Sequence, residues 1–232
     1  DVLSSRGLGD VYKRQAIKRD NLIYNILKSK KIPFYTFKDQ VIFEKSEITK
    51  DNGSPYVVFT PYMRKWKESL KKNYSVLEKN EITNNFYNLN KYNLKDINEY
   101  GFEKNLKEVP NFNVSKKIIE EYENKRNFPS LNSTSKIGPF LRFGVISIRS
   151  LVKYVLKFNN DTFLNELIWR EFFMQILFHF PNSSTSSFKS KYDNINWAND
   201  KKMFEAWKNG KTGFPIVDAG MNELNKTGFM HN

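Results

Sequence analysis

The sequence predicts an α/β segment followed by a larger, incomplete all-α domain. Three observations carry that prediction. One helical apolar spacing and three short apolar runs crowd into residues 16–62. Eleven of the 43 residues from 71 to 113 are Asn, with frequent Lys and few aliphatic side chains. From 114 to 232 the apolar spacing is helical and strand-like alternation is weak.

The first fifteen residues, Asp1 to Gln15, differ in character from the Lys-, Asn-, Ile- and Phe-rich remainder. They resemble a translated sequencing adapter and are expected to be extraneous. Their Gly7-Leu8-Gly9 lacks the third glycine and the preceding strand of a nucleotide loop. Residues 16–62 follow as the tail of an α/β domain. Asp20 is placed to cap a helix carrying Leu22, Ile23, Ile26 and Leu27, and Lys28 to Lys31 load its C-terminal end with positive charge. Strand-like runs come next at 34–37, 41–43 and 56–59, with Asp51-Asn52-Gly53 marking a turn before the last. One helix and three short runs cannot close a doubly wound sheet. Residues 63–113 read as an interdomain linker. Residues 114–232 read as the N-terminal half of a helical domain, with helices near 114–126, 139–157, 161–179, 200–208 and 215–226.

Composition bounds the chemistry. The chain has no Cys and two His, His179 and His231, so thiolate chemistry, iron–sulfur clusters and a His-rich metal centre are excluded; no metal is expected. A net charge of +13 points to a polyanionic partner such as nucleic acid. An aromatic share of 16% suits a large core or the binding of flat rings. No apolar run reaches the roughly 18–20 residues that span a bilayer, and no signal peptide is present. The expected location is cytoplasmic, without a membrane partner.

Three runs could carry chemistry. In Asn165-Glu166-Leu167-Ile168-Trp169-Arg170-Glu171-Phe172-Phe173, helical spacing puts Glu166, Trp169, Arg170 and Phe173 on one face. That face is either an exposed Glu166–Arg170 ion pair, worth about 0.3–0.5 kcal/mol, beside a half-buried indole, or a pocket that stacks and hydrogen-bonds a flat ligand. In Lys211-Thr212-Gly213-Phe214-Pro215-Ile216-Val217-Asp218-Ala219-Gly220-Met221, Pro215 enters a first helical turn and the small residues permit close approach. Asn132-Ser133-Thr134-Ser135-Lys136-Ile137-Gly138-Pro139 is either a plain helix cap or an anion site of hydroxyls and backbone N–H groups.

In this order, the Trp169-Arg170-Glu171-Phe172 core, Thr212 to Ala219 and Gly228-Phe229-Met230-His231-Asn232 resemble the flavin domain of the DNA photolyase/cryptochrome family. Phe59-Thr60-Pro61-Tyr62 resembles the end of that family's antenna domain, and Ala16-Ile17-Lys18-Arg19-Asp20 its middle. The resemblance implies that 16–62 is the C-terminal part of a Rossmann-like antenna domain and that 114–232 is part of an all-α FAD-binding domain. It implies that FAD is held by Tyr122, by Thr134, Ser135, Lys136, Ile137 and Gly138 at the phosphates, and by Phe163 and Arg170. The family often has a hydroxyl residue where Gly138 stands. It implies a lesion pocket of Glu166, Trp169, Arg170, Phe173 and Asn232, a DNA-contacting Arg126, and Trp197 as the outermost tryptophan of an electron relay. In the full-length protein an antenna chromophore, folate or deazaflavin, is the further expected cofactor.

The implied activity is light-driven repair of cyclobutane pyrimidine dimers in DNA, by a monomer acting as a carbon–carbon lyase. Glu166 and Asn232 resemble the dimer-repair branch, whereas (6-4) photolyases and animal cryptochromes tend to have Gln and His at those places. A blue-light receptor binding FAD and a (6-4) photolyase are the alternatives. A basic nucleic-acid-binding module without flavin would explain the charge but not the order of the motifs.

Overall fold

In the computed structural model residues 3–5, 14–77, 95–103 and 110–231 are described. Strand β1 (Leu3–Ser5) pairs in parallel with β2 (Phe34–Thr36), and α1 (Arg14–Ser29) lies between them in the chain. Helices α2 (Phe59–Lys72), α3 (Lys116–Lys125), α4 (Gly138–Arg142), α5 (Ile148–Val155), α6 (Asp161–His179), α7 (Lys201–Lys208) and α8 (Pro215–Thr227) follow. The chain divides into two compact units, one carrying β1 to α6 and the other α7 and α8.

The α/β segment departs from expectation in three places. Asp20 is not a cap: α1 begins at Arg14 and Asp20 lies inside it, paired with Arg19 at 2.6 Å. The stretch expected to be extraneous thus contributes β1 and the first two residues of α1. Of the three strand-like runs only 34–37 yields a strand. Val41, Ile42 and Phe43 are buried in irregular backbone, and Tyr56 to Val58 lead into α2. Gly53, at φ 76°, makes the expected turn, and Thr49 bridges Pro55 across it. Among the described residues the sheet is a two-stranded parallel pair.

Residues 63–77 do not form a linker. Helix α2 buries Tyr62, Trp66 and Leu70, an i, i+4, i+8 stripe, and Leu77 is buried in the 3₁₀ turn after it. Of the rest of the expected linker, 78–94 and 104–109 lie outside the described residues, and Ile97–Tyr100 form a 3₁₀ turn capped by Asp96.

Helix α6 has no single apolar stripe: buried apolar side chains alternate with polar ones round it, and Phe173 and Leu177 stay exposed. It buries Phe163, Leu164, Leu167, Ile168 and Phe172. Ile42, Phe43, Ile48, Tyr62 and Trp66 share one hydrophobic cluster with Ile119, Leu141, Leu151, Val152, Ile168 and Phe172. The expected boundaries at 62 and 114 therefore do not separate two cores. The carbonyl oxygen of Asn160 caps α6 by accepting from the Thr162 and Phe163 N–H groups. Its amide donates to the Ile119 carbonyl at 2.6 Å, which ties α6 to α3. The predicted helix over 139–157 is broken into α4 and α5, because Gly144 turns at φ 68° and Ser147 caps a new start.

In the second unit Asp200 caps α7 by accepting from the Met203 N–H, and Pro215 opens α8 as expected. The Asp218 carboxylate accepts from the Thr212 N–H and hydroxyl and the Gly213 N–H, and these bonds hold it below the usual carboxylate range. Gly220 lets Met230 approach: a Cβ there would meet its sulfur at 3.3 Å.

Candidate functional site

Helices α3 and α6 bring four of the expected residues together. Tyr122 and Phe163 meet edge to face with ring centroids 5.0 Å apart. The Arg126 guanidinium lies 5.6 Å from the Tyr122 ring centre and donates through Nη1 to Glu166. Both partners of this ion pair are about one-third exposed, Arg126 at 34% and Glu166 at 33%. Burial, then the charge of Glu166, pushes the Tyr122 hydroxyl above its ordinary value. The hydrogen bond it donates to Glu166 raises Arg126 in turn. Phe163 itself is buried in the core. Glu166, read as a candidate i, i+4 partner of Arg170, is here paired across the helices by Arg126.

One turn further along α6, Trp169 is stacked by Phe59 of α2, with centroids 3.6 Å apart and planes 6° from parallel. Phe173 lies against the same indole at 5.3 Å and is itself exposed. Trp169 and Phe173 thus form one aromatic patch, with Trp169 half-buried. Phe59, which the sequence reading placed in a strand, takes part of the stacking surface of Trp169. Arg170 donates to the Gln40 carbonyl at 2.8 Å.

The loop before α4 is anchored rather than open-ended. Buried Ser133 donates to the Lys125 carbonyl, and the Asn113 N–H bonds the Ser135 carbonyl. Thr134, Ser135 and Lys136 are half-buried, and Ile137 is buried. Lys136 sits at φ 52°, a left-handed conformation that turns the chain sharply into α4. Around Gly138 there is room, since a Cβ would meet nothing within 4 Å. The space fits either a small side chain or the close approach of a ligand to the backbone. Two hydroxyls, an ammonium and exposed backbone at Gly138 are the donor set that dinucleotide phosphates require, so the loop fits FAD.

The sequence reading missed Glu171. Its carboxylate is 1% exposed and accepts from the Ile42 N–H at 2.7 Å, the Phe43 N–H at 3.1 Å and the Trp66 indole N–H at 2.8 Å. Burial pushes it up to about 7, against the pull of these donors. Gln175 donates to the Phe43 carbonyl and His179 meets the Lys45 carbonyl at 2.8 Å. With Arg170 on Gln40, side chains of α6 bond the backbone at Gln40, Ile42, Phe43 and Lys45, where a sheet would use a neighbouring strand, and Arg149 of α5 takes the Val41 carbonyl. These contacts span about 130 positions, so the only local signal was a charged residue inside an apolar run.

In the second unit Trp197 is 67% exposed. Asn232 lies outside the described residues. Among the described residues no cluster of His, Cys, Asp and Glu could hold a metal, and no helix is long and apolar enough to cross a membrane.

A helical region with an anchored hydroxyl-rich loop beside a Trp–Arg–Glu–Phe helix marks a flavoprotein of the DNA photolyase type. Comparison with known proteins agrees. Residues 8–81 match the family model for DNA photolyase, and residues 163–232 match that for the FAD binding domain of DNA photolyase. The chain belongs to the DNA photolyase/cryptochrome family. It is similar to the deoxyribodipyrimidine photo-lyase of Alkalihalophilus pseudofirmus, 34% identical over 92% of this chain and 48% of that protein. Its fold is similar to that of a bacterial class III photolyase from Agrobacterium tumefaciens, with a TM-score of 0.72 at 24% identity over all of this chain and 51% of the other. An archaeal photolyase from Sulfolobus tokodaii, solved with two FAD molecules, gives a TM-score of 0.65 at 26% identity, covering 95% of this chain and 49% of the other. The chain spans about half the length of the relatives it matches.

Proposed function

We propose that the full-length protein reverses cyclobutane pyrimidine dimers in DNA under blue light, using reduced FAD. The observation that carries this reading is the grouping of Arg126, Glu166, Trp169 and Phe173 along one side of α6, in a chain whose matched family binds FAD. FAD is held by Tyr122, by Thr134, Ser135, Lys136, Ile137 and Gly138 at its phosphates, and by Arg170, with Phe163 backing Tyr122. When bound, FAD supplies the light-driven electron that splits the dimer. The rest belongs to the chain's own side chains. Trp169 offers a flat wall to a flipped pyrimidine, and Phe59 and Phe173 fix its ring in place. Glu166 and Asn232 meet the polar edges of the pyrimidines. Arg126 holds a phosphate, and Trp197, open to solvent, is the outer end of the relay.

In this reading residues 16–62 belong to a Rossmann-like antenna domain that carries a folate or deazaflavin. The protein acts as a monomer in the cytoplasm. The test is dimer loss from an irradiated oligonucleotide, in light and in darkness, with the full-length protein. Loss in light alone is expected, and Glu166→Ala slows it while FAD stays bound. Equal loss in both conditions rejects photorepair, and FAD binding with no loss in either leaves a light receptor.

A further inference from the structure

We infer that Arg126 and Glu166 form an exchangeable pair: a DNA phosphate draws Arg126 away from Glu166 and leaves the carboxylate free to accept from a pyrimidine N–H. This rests on the repair reading above and adds a discrimination step to it. Two assigned roles conflict in the molecule. Arg126 is assigned to phosphate and Glu166 to the dimer, yet the two side chains are paired with each other. A guanidinium can fork to a carboxylate or to a phosphate, and an ionised carboxylate only accepts. The two ligands therefore compete for the same donors.

The geometry makes the exchange easy. Both side chains are about one-third exposed, so a phosphate can reach Arg126 from solvent without unfolding the site. Arg126 is the C-cap of α3, its N–H bound to the Tyr122 carbonyl, so the backbone stays fixed while the side chain turns. The Tyr122 ring offers a cation a resting surface throughout. Glu166 sits one turn before Trp169, so a carboxylate released there faces the same side of α6 as the aromatic patch. Undamaged DNA bears the full cost of breaking the pair. A flipped dimer repays it by giving Glu166 a new donor, so the pair penalises undamaged DNA selectively.

The test uses the full-length flavoprotein in darkness, with fluorescence anisotropy on a duplex carrying one thymine dimer and on the same duplex undamaged. Glu166→Gln removes the competitor and should tighten binding to undamaged duplex about threefold, the strength of a partly exposed ion pair. The dimer duplex should not gain, so discrimination falls. In an Arg126→Gln background, Glu166→Gln should change nothing, and the salt slope should fall by about 0.9. Arg126→Lys keeps the cation and should restore the tightening in part. Glu123→Gln removes a charge from an exposed position on α3 and should do far less. Equal tightening by Glu166→Gln with or without Arg126, or as much from Glu123→Gln, overturns the proposal. Failure of the unaltered protein to prefer the dimer duplex would sink the repair reading instead.

Discussion

Glu166 and Glu171 stand five residues apart on α6 and have opposite surroundings. Glu166 faces solvent at the edge of an aromatic patch and is held by one arginine. Glu171 is enclosed, and main-chain and indole N–H groups converge on it. The helix thus carries a replaceable contact on one side and a fixed one on the other. A site that must admit a ligand needs side chains whose partners can be exchanged. The register of that site needs contacts that cannot be exchanged without loss. The second role falls to Glu171, which locks the backbone of 41–43 against the helix that presents Trp169.

The largest difference between the two acids should appear on truncation. Glu171→Ala leaves two backbone N–H groups and the Trp66 indole N–H buried without an acceptor, and opens a cavity. About 3–5 kcal/mol of stability should be lost. Amide hydrogen exchange at Ile42 and Phe43 is the direct readout, and both should speed up together. Slow exchange at both amides in that variant would show that α6 does not hold the segment.

Acidity separates them next. Glu171 is raised from 4.5 to about 7, chiefly by burial. A carboxyl raised in the folded state binds its proton more tightly there than in the unfolded chain. Its contribution is therefore complete below about 4.5 and is lost as pH rises through about 7. The shift corresponds to about 3 kcal/mol across that window. Urea unfolding between pH 4.5 and 7.5 should show this fall in the parent protein and a much flatter profile in Glu171→Gln. Identical slopes in both would mean that Glu171 is ionised throughout.

The same contrast marks what a single sequence reveals. Helices α3, α6, α7 and α8 were legible from their apolar spacing, and Pro215 stands where the Gly-Phe-Pro turn places it. Helix α2 was not, although Tyr62, Trp66 and Leu70 carry its stripe. The β-rich Tyr56 to Phe59 run before it and Pro61 inside its first turn masked the start. The run at 41–43 has the apolar composition of a buried strand, but α5 and α6 side chains far along the chain take its hydrogen bonds. Composition reports burial and does not report which partner satisfies the backbone. At the site, family motifs brought Tyr122, Arg126, Glu166, Trp169 and Phe173 to notice. The pairing of Arg126 with Glu166 and of Trp169 with Phe59 depends on how α2, α3 and α6 pack, which no local spacing encodes.

The smallest effect should come from the exchangeable side. Arg126→Ala removes the partner of Glu166, but both groups are about one-third exposed and water can solvate the carboxylate that remains. Coulomb attraction at that exposure is screened, and the entropy of two long side chains opposes it. The loss of stability should stay below about 1 kcal/mol and shrink further in high salt. Chemical unfolding at low and high salt measures it, with Ile42 and Phe43 exchange unchanged as the control. A loss comparable to that of Glu171→Ala would place the Arg126–Glu166 pair among the fixed contacts, and a pair that holds α3 to α6 so firmly could not yield its arginine to a phosphate.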